Sequence, residues 1–220
     1  MNKNVLIAGG VLVVAGLVWI GSSNHTVTEQ TKENEVVKQE AEHSHSHSEF
    51  NHHLHDGQVS VEDGSLTAEL NSIGLMPKDG EKGAVGYGLI TEQGTDAIVV
   101  SATHAGVLDS ELQKDSNDPV WHNHIVKLGE VALCGENPGV IDITFESPGS
   151  IKVSDGGVVM ANLPESFSGT HSLSKETVTF APGTDIQKLV QFHLDPKFDN
   201  AGGLQAVCVT DIEEVPFEII

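Results

Sequence analysis

The chain has 220 residues, with 11 basic side chains that are all lysine, 32 acidic side chains and a formal net charge of −21 at pH 7. Proteins that bind nucleic acid or anionic lipid use clustered basic side chains, so this balance argues against both partners. The length suits one domain with extensions, and it is enough to bury a core.

The N-terminal segment is apolar enough to cross a membrane. Residues 4–23 contain no charged side chain, and as a helix they would span roughly 30 Å, the thickness of a bilayer core. Lys3 precedes this segment and acidic residues follow it, which keeps the N-terminus in the cytoplasm. We therefore predict that residues 1–23 anchor the protein in the cytoplasmic membrane, with the remainder in the periplasm or outside the cell. The alternative is a cleaved signal peptide and a mature chain that begins at Asn24.

Residues 24–58 are predicted to form a disordered linker, because polar side chains dominate them and little in them can be buried. The linker is rich in histidine, whose neutral imidazole suits Zn²⁺, Cu²⁺ and Ni²⁺. It resembles the histidine-rich loops of periplasmic zinc-binding proteins and cation-efflux carriers, which implies that it captures metal ions. The alternative is a solvated linker whose histidines only titrate. The histidines concerned are His43, His45, His47, His52, His53 and His55.

Residues 59–220 contain many short apolar runs separated by turn residues, such as the Gly, Asn and Pro of residues 135–139. Runs of this length and spacing are typical of antiparallel β-structure. The sequence therefore predicts an all-β domain, either an antiparallel β-sandwich or a barrel. One helix is predicted inside it, at residues 108–114, and residues 216–220 are predicted to pack as an edge strand.

The two cysteines are Cys134 and Cys208, and both lie in strand-like runs. In an oxidising compartment such a pair usually forms a disulfide, which we predict here. Two buried free thiols are the alternative.

The domain histidines show a consistent strand parity. In an extended chain, His122 and His124 lie on the same face as Val126, and His104 lies on the same face as Val100. All three are therefore predicted to point toward the core at the ends of two strands, as a three-histidine site for Zn²⁺ or Cu²⁺. The alternative is that they bond to backbone groups at loop ends.

Further residues near these histidines are secondary candidates. His193 would face outward if Phe192 is buried, which makes it a weaker fourth ligand. The His122-x-His124 pair followed by Glu130 resembles the first metal-binding motif of the cupins, but the second cupin motif is not reproduced. The connection over residues 105–119 is acidic, which favours a nearby cation; we interpret it as a solvated loop.

Three functional hypotheses follow. The first is a membrane-tethered extracytoplasmic protein that buffers Zn²⁺ or Cu²⁺ or passes the ion to another membrane protein. The second is a metal-dependent enzyme that uses the three domain histidines, with Glu130 or an acid of residues 105–119 as proton carrier. The third is an accessory or adhesion subunit in which the histidines are incidental. Motifs of common hydrolases and nucleotide-binding loops do not occur in the sequence, so no catalytic residue is assigned and the non-enzymatic hypotheses are favoured.

Overall fold

The computed structural model describes residues 53–77 and 83–220. The predicted anchor at residues 1–23 and the linker up to residue 52 lie outside the described residues. Within the described ranges no helix is long and apolar enough to span a membrane. The predicted all-β class is confirmed, since strands dominate and the only helices described are two 3-10 turns at Gly94–Asp96 and Ala132–Cys134.

Thirteen strands are described, and most are short. They are β1 (His53–Glu62), β2 (Ser65–Ile73), β3 (Val85–Thr91), β4 (Ile98–Thr103), β5 (His122–Glu130), β6 (Pro138–Ile143), β7 (Ser150–Ser154), β8 (Gly157–Pro164), β9 (Phe167–Thr170), β10 (Thr177–Phe180), β11 (Ile186–Phe198), β12 (Leu204–Val215) and β13 (Phe217–Ile219).

Six antiparallel strands close into a barrel, in the order β3-β4-β5-β6-β12-β11, with β11 pairing back onto β3. Side chains alternate between the two faces of each strand, so every second residue points into the barrel. On β4 these inward residues are Ile98, Val100 and Ala102, and they pack against Val126 of β5 and Phe192 of β11. The barrel therefore has its own apolar interior.

A five-stranded sheet, in the order β13-β1-β2-β8-β7, covers one outer side of the barrel. Its buried side chains, such as Leu70 and Met160, form one cluster with the outward residues Leu89, Val99 and Ile125 of the barrel strands. Strand β4 is consequently buried on both faces, and all six of its residues are buried. The described residues thus form two large cores, one inside the barrel and one between the barrel and the sheet.

The folded part begins earlier than the composition indicates. Strand β1 includes residues 53–58, which the sequence analysis places in the linker. These residues are polar, but Leu54 and Gly57 are buried and the strand pairs along its length with β2. His53 and His55 therefore belong to a β-strand, because ladder hydrogen bonds and two buried positions suffice to order a polar segment that lies against a core.

Two further local predictions differ from the structure. Residues 108–114 form turns and irregular backbone instead of a helix, because the side chain of Gln113 bonds to the backbone of this segment. Cys134 lies in a 3-10 turn after β5, not in a strand. The edge-strand prediction is confirmed: β13 pairs in parallel with β1 at the border of the five-stranded sheet.

The predicted disulfide is present. Cys134 and Cys208 are bonded, with 5.3 Å between their Cα atoms and a sequence separation of 74. The bridge is buried beside Ala206 and Val131, and it ties the turn after β5 to β12. It lies next to the only register pair described between β6 and β12, Gly139 with Cys208.

Candidate metal centre

Two neighbouring strands bring the three domain histidines to one end of the barrel. His122 and His124 begin β5 with their side chains on the inward face, where they are opposite Ala102 and Val100 of β4. His104 follows β4 directly and continues the same parity. All three imidazoles are buried, and adjacent rings lie edge to face, with centroids 4.9 Å apart for His104 and His122 and 4.7 Å apart for His122 and His124.

A carboxylate completes this group. Asp109 Oδ2 lies 3.2 Å from His104 Nε2, and Asp109 Oδ1 lies 3.4 Å from His122 Nε2 and 3.8 Å from His124 Nε2. One nitrogen or oxygen from each of the four residues can be chosen so that all of them lie within 4.8 Å of one another. We call these four residues the His₃Asp cluster.

Backbone hydrogen bonds fix the protonation of two of the imidazoles. The Nδ1 atoms of His122 and His124 lie 2.7 Å from the carbonyl oxygens of Val120 and Thr144, respectively. A carbonyl oxygen only accepts, so each Nδ1 must carry the proton and donate it. In the neutral ring Nε2 then presents a lone pair. Metal-binding histidines in proteins commonly donate their second ring N–H to a carbonyl in this way.

The charges in the cluster favour an ion between these groups. Burial lowers the pKa of His124 to about 4, so the ring is neutral at pH 7. Burial raises the pKa of Asp109, whereas hydrogen bonds donated by the imidazoles of His104 and His122 lower it below its usual range. In the neutral tautomers given by the backbone contacts, Nε2 of His122 and His124 has no proton to donate. A cation bound between these nitrogens and the carboxylate would supply the positive charge instead.

Several polar atoms of the cluster are buried without a hydrogen-bond partner. They are His104 Nδ1, Asp109 Oδ1, His122 Nε2 and His124 Nε2. Buried polar atoms in native proteins are almost always paired, so each of these needs an explanation. A cation bound by the Nε2 atoms and the carboxylate accounts for three of the four.

The dimensions also suit a metal ion. A tetrahedral zinc centre with bonds of about 2.0 to 2.2 Å separates its ligand atoms by roughly 3.3 to 3.6 Å. The distances to Asp109 Oδ1 from Nε2 of His122 and His124, 3.4 and 3.8 Å, and the 3.2 Å from His104 Nε2 to Oδ2 are close to that range. With one ligand atom from each residue, all four atoms lie within 4.8 Å of one another. Three imidazoles and one carboxylate are ligands that Zn²⁺, Cu²⁺ and Ni²⁺ accept.

The loop between β4 and β5 delivers Asp109, and one buried amide organises it. Gln113 Oε1 accepts hydrogen bonds from the backbone N–H groups of Asp109 and Ser110, at 3.0 and 3.1 Å. Its Nε2 donates to the carbonyl oxygens of Val107 and Asp118, both at 3.1 Å. All four hydrogen-bonding positions of this amide are therefore used to hold the loop.

A second contact fastens the loop to the barrel. Ser172 Oγ lies 2.8 Å from the Asp109 carbonyl oxygen and 3.1 Å from the Thr144 carbonyl oxygen, and the latter also accepts the Nδ1–H of His124. The serine hydroxyl thus links the backbone of the Asp109 loop to the carbonyl group that orients His124.

The other histidines and acids named from the sequence lie elsewhere. His193 is on β11 and contacts Asp211, with 3.2 Å between Nδ1 and Oδ2, outside the His₃Asp cluster. Glu130 ends β5 and is exposed, six residues beyond His124 or roughly 20 Å along the strand. It cannot act as a proton carrier at the cluster.

The linker histidines are described only in part. His53 and His55 lie in β1, and His55 contacts Asp56, with 3.4 Å between Nδ1 and Oδ2. The four others, His43, His45, His47 and His52, lie outside the described residues.

Asp109 is the one cluster residue that the sequence analysis does not name as a ligand. The sequence contains one signal for it, the acidity of residues 105–119, but four acids share that signal. The structure separates them: Asp109 lies in the cluster, Glu111 and Asp115 are exposed, and the Asp118 carboxylate accepts a hydrogen bond from the backbone N–H of Lys114 within the loop.

Comparisons with known proteins do not identify this chain, since no protein family, curated protein or solved structure matches it.

Proposed function

We propose that this protein binds one Zn²⁺ or Cu²⁺ ion through His104, Asp109, His122 and His124, and that it buffers the ion or passes it to a partner. The convergence of buried Nε2 lone pairs on a buried carboxylate carries the proposal. Such an arrangement is unfavourable in the absence of a cation and favourable around one.

The number of protein ligands supports storage or transfer of the ion. Zinc sites with four protein ligands are typically closed, whereas catalytic zinc sites have three protein ligands and an open position. The enzyme hypothesis named Glu130 or an acid of residues 105–119 as proton carrier. Glu130 is exposed at the other end of β5, and Asp109, the acid of that range in the cluster, is a metal ligand in this proposal.

The extracytoplasmic part of the proposal rests on the sequence and on the disulfide. Disulfides persist mainly in oxidising compartments, which agrees with export of the domain. In this proposal residues 4–23 tether the protein to the cytoplasmic membrane, and the linker histidines capture ions for the His₃Asp cluster.

Metal analysis of the protein purified without metal-affinity resin is the first test. We expect about one ion per His₃Asp cluster, and we expect His124→Ala to weaken binding by at least about 100-fold, since even outer-shell changes at metal sites cost 10- to 100-fold. His193→Ala is the matched control, because His193 lies outside the cluster, and it should bind the ion as the parent chain does.

Thermal unfolding provides an independent readout. An ion that binds only the folded state at 100 times its Kd stabilises that state by about 2.7 kcal/mol. We expect Zn²⁺ or Cu²⁺ to raise Tm in the parent chain and in His193→Ala, but not in His124→Ala. Equal shifts in all three proteins would contradict a site at the His₃Asp cluster.

A deletion separates the linker from the domain. It should remove residues 43–52 and stop there, because residue 53 begins β1. We expect this deletion to lower the total number of ions bound while leaving the tight site of the His₃Asp cluster intact. Loss of the tight site in the deleted chain would show that the cluster does not bind the ion by itself.

A further inference from the structure

The barrel interior contains a cavity that ends at the His₃Asp cluster. Its volume is about 220 Å³. Along β5 it extends from His124 through Val126 to Leu128, roughly 13 Å at the rise of an extended chain. Its walls are formed mainly by aliphatic side chains from all six barrel strands together with Phe192. The cavity is therefore elongated and apolar.

One end of the cavity is chemically different. His104, Asp109 and His124 line it, whereas His122 lies behind them. A divalent ion held by three neutral imidazoles and one carboxylate has a net charge of +1. Buried net charge is costly unless it is compensated, so this end favours an anion.

The cavity reaches the protein surface along the seam between β6 and β12. Only Gly139 and Cys208 are paired across this seam in the described part of the chain. Four consecutive β12 residues, 204–207, line the cavity. Side chains of alternate residues point to opposite faces of a strand, so the backbone edge of β12 must border the cavity there. Ile141 and Leu173 line the cavity too and are 45% and 58% exposed, which gives the opening an apolar border.

We propose that the barrel interior binds an elongated apolar molecule with an anionic head group, such as a medium-chain carboxylate, whose head group meets the bound metal ion. This inference rests on the proposed metal binding. A cavity of about 150 Å³ accepts benzene, so the present cavity has room for a short alkyl chain or for a ring with a small substituent.

Calorimetric titration of the full-length zinc-loaded chain with octanoate tests the proposal. We expect one octanoate per chain, at least tenfold weaker binding of acetate, which lacks the apolar body, and at least tenfold weaker binding of octanoate after the zinc is removed.

Val100→Phe fills the cavity and should weaken octanoate binding at least tenfold. Val61→Phe makes the same change on the exposed side of β1 and should have no effect. Zinc content is measured on every sample, and Val209→Phe, also in the cavity wall, replaces Val100→Phe if that variant does not retain zinc.

The outcomes separate the inference from the proposed function. If the His₃Asp cluster binds neither Zn²⁺ nor Cu²⁺, the proposed function fails, and the inference fails with it. If zinc binds but octanoate does not, only the inference is overturned. Equal octanoate binding with and without zinc, or in Val100→Phe and Val61→Phe, also overturns it, because the molecule then does not combine the cavity with the ion.

Discussion

Gln113 shows how a side chain can position a residue of the His₃Asp cluster without belonging to the cluster. It is buried, and it binds the loop backbone on both sides of Asp109. The direction of the Asp109 carboxylate therefore depends on an amide four residues further along the chain.

Replacing Gln113 with leucine should weaken metal binding. Leucine has a similar size but leaves four backbone groups without their partner, so the loop and its carboxylate lose their fixed position. We expect a 10- to 100-fold loss of zinc affinity, the usual effect of changes in the shell around metal ligands. Competition with a chromophoric chelator measures this affinity.

Gln187→Leu is the control for this prediction, because Gln187 is exposed on β11. Unchanged affinity in Gln113→Leu would show that the loop holds Asp109 by other contacts, of which the Ser172 hydroxyl is the strongest candidate.

At the residue scale, the histidines could be predicted and the carboxylate could not. The inward direction of His104, His122 and His124 follows from period-two alternation within strands, which is a local property. The position of Asp109 depends on a hydrogen bond from Ser172, 63 residues away in the chain. No pattern within the loop itself distinguishes Asp109 from its acidic neighbours.

Among the elements, β3 shows why the barrel needs glycine on its inward face. A Cβ atom built on Gly86 would lie 2.5 Å from Cζ of Phe192 and 3.1 Å from the Ser101 carbonyl oxygen. Strand β3 contains two glycines, Gly86 and Gly88, on its inward face. Their role in the fold is to leave space for the Phe192 ring inside the barrel.

Gly86→Ala should therefore destabilise the domain. The added methyl group must displace Phe192 or the backbone of β4, and overpacking of this kind costs about 1–3 kcal/mol. We expect a decrease of that size in the free energy of unfolding, measured by urea denaturation. Gly156→Ala is the matched control, because nothing lies within 4 Å of a Cβ atom at that position. Equal stability of the two variants would mean that Phe192 moves into the cavity at little cost.

Strands that the sequence predicts differ in amino-acid composition from strands that it does not predict. Strand β4 consists almost entirely of branched and small residues, and all six are buried, so its composition predicts a strand. Strands β1 and β2 contain polar and small residues, and β2 buries only Leu66, Ala68 and Leu70 on its inward face. Alternation is present in β2, but its composition has weak strand propensity.

At the scale of the whole domain, the disulfide lies beside the β6–β12 seam, where the barrel has a single described register pair. Cys134 and Cys208 join the turn after β5 to β12, and β6 and β12 share a single described register pair next to this bond. A covalent link at this place compensates for the short ladder.

Removal of the disulfide with Cys134→Ala and Cys208→Ala should lower the free energy of unfolding by about 4 kcal/mol, the entropy cost of closing a loop of this length in the unfolded chain. Chemical denaturation measures the change. Reductant should destabilise the parent chain by a similar amount and leave the double variant unaffected. A much smaller loss would indicate that the unfolded chain retains structure in this region.

The position of the His₃Asp cluster within the connection from β4 to β5 has a kinetic consequence. All four cluster residues lie between residues 104 and 124, so a bound ion would cross-link one strand pair and its connecting loop. The entropy of closing that loop must be lost before β4 and β5 can pair. If the unfolded chain captures Zn²⁺ through the same ligands, part of this cost is met before the barrel forms. Zinc would then increase the refolding rate in stopped-flow experiments, in addition to slowing unfolding. An ion that binds only after the barrel has closed would slow unfolding alone.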